Sequence, residues 1–212
     1  MAFTNYSDLK TTIANYLARS DLTSVIPDFI RLAEDRLRRD LRIRQMLKVA
    51  TATTTSGDST VSIPSDFIAM KDLHLNTNPV RTLTFQNTAN FFELNNVSAS
   101  AKGYPRAYTL LGSEFKFAPV PDSAYTLEMV YYHKPDYLSD SNTSNLFLAN
   151  CPDLLLYGSL SEAEPYLMND ERLATWAAMY DRGLASLRAS DEDARPLSYI
   201  AAHVASLSSF IK

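Results

Sequence analysis

The chain has 212 residues, 46% hydrophobic and 21% charged, with a formal net charge of −4. That composition supports a sizeable core in one or two domains, and it excludes a disordered chain or a polycation that coats nucleic acid in bulk. A single cysteine, Cys151, excludes an internal disulfide and a cysteine-built metal cluster within one chain.

The N-terminal stretch Met-Ala-Phe-Thr-Asn-Tyr-Ser-Asp lacks the basic and apolar regions of a signal peptide. No apolar run nears the roughly 20 residues that span a bilayer, so a soluble protein of a reducing cytoplasm is expected. Tyr6, Leu9, Ile13, Tyr16 and Leu17 share one helical face, predicting a helix over about 6–18 with Thr4 or Asn5 as its cap. Pro27 suits the first turn of a second helix, in which Ile26, Phe29, Ile30, Ala33, Leu37 and Leu41 recur every three or four residues. Its other face carries Arg31, Glu34, Asp35, Arg38, Arg39 and Asp40. Acid-before-base pairs at Glu34–Arg38, Asp35–Arg39 and Asp40–Arg44 extend the predicted helix to about Gln45.

From Val49 the hydrophobic period changes to alternation. Residues 49–53 and 60–63 read as a hairpin around Ser56-Gly57-Asp58, and 70–75 with 80–83 as another around Asn76-Thr77-Asn78-Pro79. A short helix is expected over 88–94, then a loop of small residues over 95–103. Tyr108–Leu111 and Glu114–Phe117 flank a Gly112-Ser113 turn, and a loop bracketed by Pro119 and Pro121 follows. In 125–132, Tyr125, Leu127, Met129 and Tyr131 occupy one face of a strand.

After a Ser/Asn/Asp-rich loop over 138–145, helical spacing returns. Cys151-Pro152-Asp153 opens a helix carrying Leu154, Leu155, Tyr157, Leu160, Ala163 and Leu167, which Pro165 should kink or shorten. Asn169 or Asp170 is placed to cap the next, with a stripe of Leu173, Trp176, Ala177, Tyr180, Leu184 and Leu187. Ser190-Asp191-Glu192-Asp193 reads as an acidic hinge, and Pro196 starts a last segment with a seam of Leu197, Ile200, Val204, Leu207 and Ile211. That seam either completes the helical core or docks in a partner's groove; docking is the expectation adopted. The fold class is therefore α+β. The terminal helices, residues 1–47 and 138–195, form a bundle; 48–137 form an inserted antiparallel β domain; and 196–212 are a C-terminal amphipathic segment.

Catalytic signatures do not emerge. His74, His133 and His203 show no i,i+4 pairing and no HExxH; there is no phosphate loop, no GxSxG, and no EF-hand spacing around Asp191, Glu192 and Asp193. Asp136 and Asp140 lie near the Ser-rich loop, where a solvated surface is expected. No enzyme activity, cofactor or metal is expected. Six arginines lie between Arg31 and Arg44 against three acids, a local excess of three positive charges. A nucleic-acid helix is normally less neutralised and interleaved with aromatics. The cluster is read instead as a solvated or subunit-facing surface, with Arg31, Arg38, Arg39 and Arg42 as candidate interface residues. A small DNA-binding protein using the Arg31–Arg44 helix is the alternative.

The order of several short motifs resembles the head-to-tail adaptors of short-tailed bacteriophages, of the tail tubular protein A type. They are Tyr6-Ser7-Asp8-Leu9; Ile26-Pro27-Asp28-Phe29-Ile30 running into Leu32-Ala33-Glu34-Asp35-Arg36-Leu37; and Ile63-Pro64-Ser65-Asp66-Phe67. Tyr104-Pro105-Arg106-Ala107-Tyr108, Phe117-Ala118-Pro119-Val120-Pro121 with Leu127–Tyr132, and Pro152-Asp153-Leu154-Leu155-Leu156-Tyr157-Gly158-Ser159-Leu160 complete the series. The resemblance covers about residues 5–188. It implies a structural virion protein of the neck or tail, assembled in the host cytoplasm as a dodecameric ring between portal protein and tail nozzle protein. Genome DNA would pass through its channel without sequence-specific binding, and no membrane is involved. Portal docking is assigned to Leu197, Ile200, Val204, Leu207 and Ile211.

Overall fold

A computed structural model describes residues 3–95, 102–167 and 172–194. The chain divides into two compact units: Met1–Gln45 with Pro135–Lys212, and Met46–Lys134. The caps expected at Asn169 or Asp170, His203 and the seam from Leu197 to Ile211 lie outside the described residues.

The first unit is helical. Helix α1 (Tyr6–Leu17) starts at Asn5, whose side chain accepts the Asp8 N–H at 2.9 Å, and ends at Ala18 in the left-handed region (φ 53°). Helix α2 (Ile26–Asp40) has Pro27 in its first turn, where no backbone donor is lost. After the second unit, which contains α3 (Thr88–Leu94), the chain returns through α4 (Leu146–Asn150), α5 (Pro152–Glu162), α6 (Glu164–Leu167) and α7 (Leu173–Asp193). Helix α5 packs against α1, α2 and α7. It buries Leu154, Leu155, Leu156, Ser159 and Leu160, so its partly exposed side is narrow, along Asp153, Tyr157 and Ser161. Gly158 makes that position possible: a Cβ there would sit 3.1 Å from the Ala33 Cβ and 3.3 Å from the Tyr180 ring. As expected, Pro165 shortens the segment, in the first turn of the separate α6.

Two helix boundaries differ from expectation. Helix α2 stops at Asp40 rather than near Gln45, because Leu41 and Ile43 are both buried (0% and 1% exposed), and an extended backbone is what points both inward. The Asp40–Arg44 helical pair therefore does not form. The ion pairs made on this helix are Arg36–Asp40 at 3.8 Å and Arg38–Asp35 at 3.6 Å. Residues 190–193 are not a hinge but the last turn of α7, where the Asp191 carboxylate accepts the Arg44 N–H at 2.7 Å.

Among the described residues, the second unit holds ten strands and helix α3 (Thr88–Leu94). One antiparallel sheet has the order β1-β10-β3-β4, from β1 (Leu47–Thr53), β10 (Thr126–His133), β3 (Phe67–Leu75) and β4 (Arg81–Thr82). The other has the order β2-β8-β7-β5, from β2 (Thr60–Ser62), β8 (Glu114–Ala118), β7 (Ala107–Leu111) and β5 (Thr84–Phe85). Leu73, Leu75, Leu127, Met129 and Tyr131 of the first meet Tyr108, Phe115 and Phe117 of the second in one core. This is the alternation read from 125–132, now with a partner surface.

The hairpins around Gly112 and Asn76–Pro79 form as expected. The expected 49–53/60–63 hairpin does not: β1 pairs with β10 and β2 with β8, so the Ser56-Gly57 turn passes the chain between sheets. The domain is also not wholly antiparallel. Strand β5 runs parallel to β7; β6 (Lys102–Gly103) runs parallel to β9 (Val120–Pro121), and these last two lie inside stretches expected to be loops.

Candidate functional site

The arginine-rich helix is where sequence and structure bear most directly on function. The segment entering the helical unit at Pro135 lies on α2, and four groups of that helix hold it. The Arg38 guanidinium donates to the Pro135 carbonyl. The Tyr137 ring is sandwiched by Arg31 and Arg38, whose guanidinium carbons lie 3.0 and 3.2 Å from its centroid. The Tyr137 hydroxyl donates to the Asp35 carboxylate. Beneath them Glu34, 1% exposed, accepts the Leu138 N–H at 3.0 Å and the Asn145 side-chain amide at 2.6 Å.

Asn145 ties these contacts to the next helix. Its amide also donates to the Asp136 carbonyl at 2.8 Å, and its oxygen caps α4 by accepting the Leu148 N–H at 3.0 Å. Burial is the dominant influence on Glu34 and raises its carboxyl from an ordinary 4.5 to about 7; the Leu138 and Asn145 donors, Arg38 and Arg31 pull the other way. Burial also pushes Arg38 below its ordinary value, and its buried Nε has no hydrogen-bond partner among the described residues.

Of the four arginines expected at a subunit interface, Arg31 and Arg38 thus clamp Tyr137. Arg42 closes α2: its guanidinium donates to the Arg38 carbonyl at 2.7 Å and to that of Leu41, while Arg188 of α7 donates to the Asp40 carbonyl at 2.6 Å. These cations satisfy carbonyls that the helix end leaves open, and they complement its dipole. Arg39 is exposed. Arg36 covers the Tyr180 ring at 4.0 Å and meets Glu162 and Asp181, each at 3.9 Å. A helix using its guanidiniums on its own chain has few left to track phosphates, which counts against the DNA-binding alternative.

The remaining sequence candidates are separate from this cluster. His74 lies 3.0 Å from Asp72 and 3.6 Å from Glu128; His133 contacts the Met46 carbonyl at 2.8 Å. Asp140 pairs with Lys10 at 2.8 Å. Burial pushes the Cys151 thiol up to about 12, which leaves it protonated and unreactive. Among the described residues no three His, Cys, Asp or Glu side chains are grouped to hold a metal, and no helix is long and apolar enough to cross a membrane.

Glu34, expected on the charged face of the helix, is buried instead. The signal was present: Glu34 lies four residues after Ile30 and three before Leu37, so it falls within the apolar stripe. Asn145 and Tyr137 carried no such periodic signal.

The helical unit is interrupted by a mainly β unit, and the charged groups of α2 are engaged in holding segments of their own unit together. A family model described as SU10 adaptor protein matches residues 4–201. The chain belongs to that family, which makes it a structural phage protein of the virion neck that binds other head and tail proteins. No curated protein matches the chain. The resemblance read from the short motifs is met at this level, and the match extends past their last residue.

Proposed function

We propose that the protein is a head-to-tail adaptor forming a homo-oligomeric ring between portal and tail nozzle, dodecameric as in the family its motifs resemble. Genome DNA passes through the channel without sequence-specific binding, and assembly takes place in the host cytoplasm. The observation that carries this reading is the adaptor-family match across residues 4–201. Large exposed apolar side chains support it: Val49, Val80 and Tyr166 are 60%, 59% and 55% exposed, and Phe85 is 53%. Such groups suit burial between subunits. Arg39 is exposed and available for carboxylates of a neighbour; Arg31, exposed as well, already stacks on Tyr137, and Arg38 and Arg42 serve the fold first. The net charge of −4 suits a channel past which DNA slides.

The test is to mix the protein with its cognate portal and measure the mass of the product. A ring complex of fixed stoichiometry is expected. Failure to bind across a range of salt concentrations refutes the reading.

A further inference from the structure

A groove of about 500 Å³ runs along the helical unit between α5 and α7. Leu154 and Tyr157 line one side and Met179, Gly183, Leu187 and Ser190 the other. On α7 these residues recur at helical spacing, so the groove follows the helix axis. Gly183 keeps the two helices close: a Cβ there would lie 2.9 Å from the Leu154 Cδ2. Tyr157, Met179 and Leu187 are only half-buried, which leaves apolar surface along the floor of the groove, while Asn150, Asp153, Arg182 and Ser186 make the rest of its lining polar.

The chain itself has a segment of matching form. Helix α7 ends at Asp193 with Ala194 as its cap, just beyond Ser190, and eighteen residues follow. Leu197, Ile200, Val204, Leu207 and Ile211 make one seam in them. As a helix, 197–211 measures about 21 Å, against about 17 Å for α7 from Met179 to Ser190. Reversal between antiparallel helices takes about two to five residues. Ala194-Arg195-Pro196 supply three, with proline suited to the first turn of the second helix.

We propose that residues 197–211 lie antiparallel to α7 in the α5/α7 groove of the same chain. Ile200 then faces Leu187 and Ser190, Val204 faces Ser186, Leu207 faces Gly183 and Ile211 faces Met179, so the seam's side chains meet small residues in the middle of the α7 face and apolar ones, Leu187 and Met179, towards its two ends. The seam is then part of the helical core rather than a portal-docking tail. The proposal does not rest on the adaptor reading, which portal binding by the full chain judges separately.

The experiment uses the full chain with Cys151→Ser, so that the only thiols are introduced ones. Ser186→Cys combined with Val204→Cys should form a disulfide within the monomer on mild oxidation. Ser186→Cys with Ala202→Cys, on the far side of the seam, should not. Disulfide-linked dimers alone place the segment of a second copy in the groove and overturn the proposal, as does cross-linking no better than the Ala202 control. Independently, ending the chain at Ala194 should lower Tm by about 5–10 °C. An unchanged Tm accompanied by lost portal binding makes the segment a docking tail and refutes its place in the core.

Discussion

Glu34→Gln tests most directly the buried clasp that α2 forms on residues 135–145. The Glu34 carboxyl is displaced from 4.5 to about 7 in the folded chain. A raised folded value means that its stabilising contribution is complete below about pH 4.5 and is lost as pH rises through 7. Each pH unit of displacement is worth about 1.4 kcal/mol, so this group removes about 2–3 kcal/mol from the helical unit between pH 5 and pH 8. Leu138 and Asn145 both donate to the same carboxylate oxygen, Oε1. A glutamine amide oxygen at that place accepts both bonds and never ionises. Glu34→Gln is therefore expected to match the wild type near pH 5 and to exceed it by about 2 kcal/mol at pH 8, after allowance for the attraction to Arg31 and Arg38 that it forgoes. Urea unfolding followed through Trp176, the only tryptophan, reports on the helical unit. Parallel stability profiles for the two proteins from pH 5 to 8 would refute the assignment.

Four further outcomes follow from the same geometry. Tyr137→Ala should destabilise the helical unit by about 2–3 kcal/mol and Tyr137→Phe by about 1 kcal/mol, because phenylalanine keeps the ring between the two arginines and loses only the bond to Asp35; equal losses would remove the stacking from the account. Phe115→Ala, at a fully buried site where the two sheets meet, should cost about 3–5 kcal/mol in chemical denaturation. Cys151 should resist a thiol reagent at pH 8 until the chain is unfolded in denaturant; rapid labelling of the native protein would contradict its burial. A gel-shift titration at low salt should detect no tight duplex binding, since Arg36, Arg38 and Arg42 are engaged within the chain.

What was legible in the sequence is what depends on local periodicity. The stripe of α2, the alternation of β10 and the Gly112 turn each set an element or a face by spacing alone. What was not legible depends on partners far along the chain. Strand β1 reads equally well as half of a hairpin, because alternation specifies which side is buried but not which strand is next; β10, more than seventy residues later, wins that place. The end of α2 was misplaced for a related reason. Spacing continued the helix through Leu41, whereas burying Ile43 as well required the chain to extend.

The clasp shows the same division. The amino-acid sequence by itself determined an α+β chain with helices at both ends, a charged second helix, and an order of motifs resembling phage adaptors. Only the tertiary structure decided that the arginines of that helix turn back on Tyr137 and on open carbonyls, and that Glu34 is covered. The reason is physical: periodicity reports how apolar a face is, while the environment of a charge is set by whatever packs over it. For Glu34 that cover comes from residues 135–145, about a hundred positions away, and no local pattern records their arrival.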